Sequence, residues 1–147
     1  MREKRVLRFW CDYCKKAGLQ IAAMRKHELH CTLNPNRECG MCGIYDKETK
    51  PMPELLEILK DVADSWKDYG YGEDFPYESF SADSAQMKSA MESLEVATEG
   101  CPACKLAAIR QSKIPVPCTD FDFKKECDAW WSEINQDRNG ANEYYRG

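Results

Sequence analysis

The sequence predicts a mainly α protein in which a small metal-stabilised hairpin and helix precede a metal-clamped helical bundle. Three observations carry this. The 147-residue chain has nine cysteines, six of them in Cys-x2-Cys pairs: Cys11/Cys14, Cys39/Cys42 and Cys101/Cys104. Five segments beyond residue 18 read as helices from their composition or from apolar spacing near 3.6 residues. No alternation of strand and helix, internal repeat or low-complexity tract competes with that reading.

Along the chain, Val6, Leu7 and Phe9 supply β-favouring and apolar positions, Cys11 to Cys14 makes a turn, and Leu19 to Cys31 has helical composition around Ala22, Ala23 and Met24. Asn34-Pro35 ends that helix. The loop that follows holds a second knuckle, in which Gly40 and Gly43 are expected to fold backbone N–H groups toward sulfur. Pro53 to Tyr69 forms an amphipathic helix with Leu55, Ile58, Leu59, Val62, Trp66 and Tyr69 on one stripe. The loop over 70–81 is rich in rings, with Tyr71, Phe75, Tyr77 and Phe80 expected to cover the core. A helix from Asp83 to Glu99 turns Met87, Ala90, Met91, Leu94 and Ala97 inward before Gly100. Cys101-Pro-Ala-Cys104 opens a third helix through Leu106 and Ile109, which Ile114-Pro-Val-Pro117 interrupts. A last helix from Asp122 places Phe123, Cys127, Trp130, Trp131 and Ile134 at buried spacing. The expected units are a finger over 1–34, a helical body over 35–137 and a loose tail over 138–147.

The cysteine spacing sorts eight donors into two sets. Cys11, Cys14, His27 and Cys31 follow Cys-x2-Cys-x12-His-x3-Cys, which brings two ligands from a turn and two from successive turns of a helix. His30 competes with Cys31, but only two residues separate it from His27, so helix geometry selects Cys31 and leaves His30 as an exposed helical residue. Cys39, Cys42, Cys101 and Cys104 form the second set and would pin the loop after the first unit to the start of the third helix. A competing set joins Cys101 and Cys104 to Cys118 and Cys127, but Cys127 lies on the apolar stripe beside Phe123 and Trp130. Two Zn2+ ions are therefore expected, although an all-cysteine set suits iron as well.

Over residues 9–31 the chain resembles the Cys2His2 zinc finger family in its Cys2HisCys form. Phe9 and Met24 stand where that family keeps an aromatic and a leucine, while Gly18 stands where it keeps its central aromatic. The resemblance implies a ββα finger. HELHCTLNPNRECGMCG, and more loosely GCPACKLAAIRQ, also resemble small zinc-binding proteins of tailed bacteriophages, which implies an accessory or virion-associated role.

Residues 1–50 carry eleven Lys/Arg against six Asp/Glu, and the remainder ten against nineteen. The charged N-terminus has no apolar core of signal-peptide length, and no stretch approaches a membrane span, so the expected setting is reducing cytoplasm, or a virion if phage-encoded, without membrane contact. Both histidines lie in the finger and no nucleophile or phosphate-loop motif occurs, so the chain reads as no enzyme. A redox role for Cys101/Cys104 lacks the βαβ context such pairs occupy. The favoured expectation is a zinc-stabilised protein-interaction module. The alternative is nucleic-acid binding through residues 1–50, with Arg8, Lys15, Lys16 and Lys26 on phosphates. Gln20, Ala22, Ala23 and Lys26, which would face bases in the family, offer little sequence reading.

Overall fold

The structure is a computed structural model and describes residues 1–68 and 84–144. It is mainly helical, with one two-stranded sheet. Strands β1 (Phe9–Trp10) and β2 (Ala17–Gly18) pair antiparallel, Phe9 against Gly18 and Trp10 against Ala17. The Cys11 N–H donates to the Lys16 carbonyl at 2.9 Å, closing the turn between them. Helix α1 (Ile21–His30) packs on both strands and buries only Met24. A Cβ built on Gly18 would stand 3.2 Å from Met24 Cε. The methionine thus fills the space that an aromatic at position 18 would need, and the small unit closes around Cys11, Met24 and Cys31 with Phe9, Cys14 and Leu33 against them.

Helix α2 (Gly40–Ile44) is a single turn where the sequence suggests a loop. Gly40 and Gly43 lie in this turn, their Cβ positions face open space, and neither has positive φ. The turn itself aims the N–H of Cys42 at the Cys39 sulfur, 3.4 Å away, so glycine freedom is not what makes the knuckle. Helices α3 (Met52–Asp68), α4 (Ser84–Thr98), α5 (Pro102–Gln111) and α6 (Phe123–Tyr144) follow. Trp66, Tyr69 and the rings at 71, 75, 77 and 80 fall outside what is described of side chains. Gly100, at φ +78°, ends α4 with its N–H on the Glu95 carbonyl, as a left-handed cap requires.

The core centres on α5. Ala107, Ala108 and Ile109 are fully buried, and α5 contacts α3, α4 and α6. Its alanines let three neighbours approach closely. Leu55, Leu59 and Val62 of α3 and Met87 and Leu94 of α4 fill the same cluster, as their spacing predicts. Helix α6 departs from expectation: Ile134 is buried, but Phe123 and Trp131 are exposed and Trp130 and Cys127 half-buried. Phe121, just ahead of the helix, enters the core in place of Phe123. Trp130 packs its edge on Tyr45 and Trp131 (centroids 5.6 and 5.0 Å), forming an aromatic flank. Helical backbone continues past Arg138 to Tyr144.

Candidate metal centres

Cys11 and Cys14 stand in the turn after β1, and His27 and Cys31 on the inner side of α1 and at its C-terminal cap. Their donor atoms all lie within 4.8 Å of one another. His27 Nε2 is 3.2 Å from Cys14 Sγ. A thiolate and an imidazole on one tetrahedral zinc ion would be about 3.5 Å apart, from bond lengths of roughly 2.3 and 2.0 Å. Burial, then the charge of Lys16, pulls the His27 pKa down, so the ring is neutral and its nitrogen free to ligate. Burial opposes ionisation of Cys14. Its thiol nevertheless lies below the usual value, because the Lys16 N–H and the thiols of Cys11 and Cys31 support the thiolate. Burial pushes Cys31 up.

His30 belongs to neither set. Its Nδ1–H donates to the Glu38 carbonyl at 2.8 Å and it is half-buried, so it fastens the end of α1 to the following loop instead of facing solvent. The same loop is fixed by the Asn34 amide, which donates to the Glu28 carbonyl (2.8 Å), and by the Glu38 N–H on the Leu29 carbonyl (2.8 Å).

The second set joins segments separated by fifty-eight residues. Cys39 caps α2 and Cys42 lies within it; Cys101 caps α5 and Cys104 stands in its first turn. All four are buried members of the main core. The sulfurs of Cys39 and Cys101 are 3.5 Å apart, those of Cys42 and Cys104 3.7 Å. These distances exclude disulfide bonds and match the roughly 3.8 Å edge of a zinc tetrathiolate. Thiol hydrogen bonds from Cys101 and Cys104 hold the Cys39 pKa far below normal. Burial, then the charges of Cys104 and Cys39, pushes Cys42 up to about 12. Cys101 is driven far upward by its hydrogen bonds to Cys104 and Cys39 and by burial. Metal binding needs thiolates, so loading this set must expel the thiol protons that remain. Cys127, half-buried, lies in neither set, and burial raises its pKa. The Cys118 side chain lies outside the described residues.

A residue that sequence reading passed over fits an ion at the second set. Arg37 is buried, its Nε has no hydrogen-bond partner, and its Nη1 lies 3.9 Å from Cys104 Sγ. Four thiolates around a divalent ion carry a net charge near −2, and a guanidinium is the group that would offset it. Only the fold identifies Arg37, because an arginine in a polar loop reads as surface. Arg110 and Gln111 were equally silent. Arg110 Nη1 donates to Thr32 Oγ1 (2.6 Å), and Gln111 Nε2 donates to the carbonyls of Thr32 (2.9 Å) and Asn34 (3.0 Å). Helix α5, about 15 Å long, therefore starts at one cysteine set and ends against the loop leaving the other.

Arg8, Lys15, Lys16 and Lys26 are exposed, and none is in an ion pair among the described residues. No described helix is long and apolar enough to cross a membrane. In comparisons with known proteins, no family model, curated protein or solved structure matches the chain.

Proposed function

We propose that the chain is a non-enzymatic binding module, a protein-interaction scaffold whose two sets hold structural zinc ions and whose first unit is a ββα finger of the Cys2HisCys kind. The observation that carries this is the closure of the donors into two four-ligand sets, one of them in the main core. Closed sets suit ions that stabilise a fold, whereas a catalytic ion keeps a position for water or substrate. The helical body is then a metal-clamped bundle, and the accessory or virion-associated role implied by the resemblance to phage proteins belongs to the same proposal. Helix α1 supports a protein partner: opposite Met24, His27 and Cys31 it presents Ala22, Arg25, Lys26 and Leu29, all exposed. A photo-cross-linking residue at Ala22 should capture a discrete protein in the native host, and Leu29→Glu should abolish that adduct at unchanged zinc content. Equal cross-linking in the Leu29→Glu protein would remove α1 from the contact.

The alternative, sequence-independent contact with nucleic acid, is favoured by a different face. The hairpin and its turn carry the unpaired cations Arg8, Lys15 and Lys16, with Asp12 the one acid between residues 8 and 18. Electrophoretic retention of duplex DNA that weakens steeply with added salt tests it.

A further inference from the structure

The outer face of the hairpin is built around an uncovered indole. Consecutive residues of a strand point to opposite faces, so with Phe9 packed inward against Met24 and Cys11, Trp10 points out. It is 61% exposed. Its cross-strand partner is Ala17, whose methyl group leaves the ring face open. Arg8, two residues before Trp10, is exposed, as is Leu19 just after β2. Tyr13, in the turn, is a second exposed ring, and the exposed Lys15 and Lys16 follow it there.

A tryptophan this exposed is costly to leave in water, and the cations carried by the same hairpin specify what would cover it. A flat apolar ring on a hairpin that also carries a guanidinium and two ammonium groups matches a nucleobase joined to phosphate: the base stacks on the ring and the phosphates meet the charges. The base must be unpaired to reach the indole, which excludes the interior of a duplex. Ala22 and Ala23 on α1 offer no hydrogen bond to the edges of paired bases. We infer that the outer face of the hairpin binds single-stranded nucleic acid, with Trp10 as a stacking platform and Arg8, Lys15 and Lys16 as phosphate contacts. This inference rests on the nucleic-acid reading above and sharpens it from any phosphate backbone to an unpaired strand.

The test uses the full zinc-loaded chain and fluorescein-labelled oligothymidylate of about 12 nucleotides, beside a duplex of the same length. Fluorescence anisotropy is read at about 50 mM and about 200 mM salt. The single strand should bind more tightly than the duplex. Trp10→Ala should weaken single-strand binding by about five- to a hundredfold, the effect of losing one stacking platform. Trp10→Phe should restore most of it, and both variants should keep their zinc. Lys15→Gln/Lys16→Gln should flatten the salt dependence. If Trp10→Ala binds as the parent does while the lysine variant is weakened and duplex competes equally, the stacking platform is refuted and phosphate contact alone survives. If neither oligonucleotide binds at the lower salt, both readings of this face fall and a protein partner is left.

Discussion

Replacing Arg37 with methionine should weaken metal binding at the second set by about ten- to a hundredfold, while barely changing the stability of the metal-free chain. The guanidinium nitrogen is 3.9 Å from Cys104 Sγ. At an effective dielectric of about 20, two unit charges at that distance attract by about 4 kcal/mol, a ceiling for a charge spread over three nitrogens and four sulfurs. Residues that support a metal's ligands cost about ten- to a hundredfold in affinity when removed, or roughly 1.4 to 2.7 kcal/mol, inside that ceiling. The two states respond differently because of protons. Without metal, a thiol that loses its cationic neighbour can stay protonated, and the variant also removes a buried Nε that lacks a partner. With metal bound, four thiolates have no such escape. Titration with a chromogenic chelator gives the affinity, and urea unfolding with and without chelator gives the two stabilities. Co2+ reports which site is affected, since four thiolates and three give different spectra. Equal affinity of Arg37→Met and parent would refute the charge argument and reduce Arg37 to packing.

Elemental analysis of the dialysed protein should find two zinc ions per chain; one would remove the second set and none the metal reading as a whole. Chelation should unfold the hairpin and α1, because structural zinc contributes roughly 10 to 16 kcal/mol in finger peptides. Cys31→Ser should weaken the first site far more than His30→Ala, which loses one hydrogen bond to Glu38 and should cost about 1 kcal/mol in urea unfolding with zinc affinity kept. Cys39→Ser and Cys101→Ser should each lower the zinc content to one, and the double variant should hold one as well; a further loss would place the two residues on different ions. Glu95→Gln/Glu126→Gln should leave the buried Lys105 without a counter-charge and destabilise the fold, by less than the about 3 to 5 kcal/mol of a fully buried pair because both carboxylates reach solvent. Burial opposes its charge, but both carboxylates outweigh that and raise its pKa above the ordinary 10.5. Its contribution is therefore complete below pH 10.5 and falls as pH rises through the folded value, which alkaline unfolding of Lys105→Met against parent would show.

Much of this was legible because the informative residues act locally. Helix periodicity depends on neighbours three and four apart, so Leu55, Leu59, Val62 and Leu94 could be assigned to the core directly. The same spacing logic separates Cys31 from His30. The failures share a cause. Whether Phe123 or Phe121 enters the core depends on how α6 lies on α5, and the apolar stripe of α6 contains more rings than that one contact covers. The space left by Gly18 could not be seen to be filled by Met24, because a flexible thioether can occupy an aromatic's volume from another element.

The long-range arrangement was least legible and bears most on function. Spacing alone could propose that Cys39/Cys42 meet Cys101/Cys104, but not that α5 would also reach back to Thr32 and Asn34 through Arg110 and Gln111. The segment from Cys31 to Cys39 holds a ligand candidate at each end, is cross-bonded through Asn34 and Glu38, and sends Arg37 into the second set. Displacing this segment on losing one ion would therefore move a ligand or a counter-charge of the other. The boundary expected near residue 34 falls inside these bonds, where short, fixed distances join the two sets.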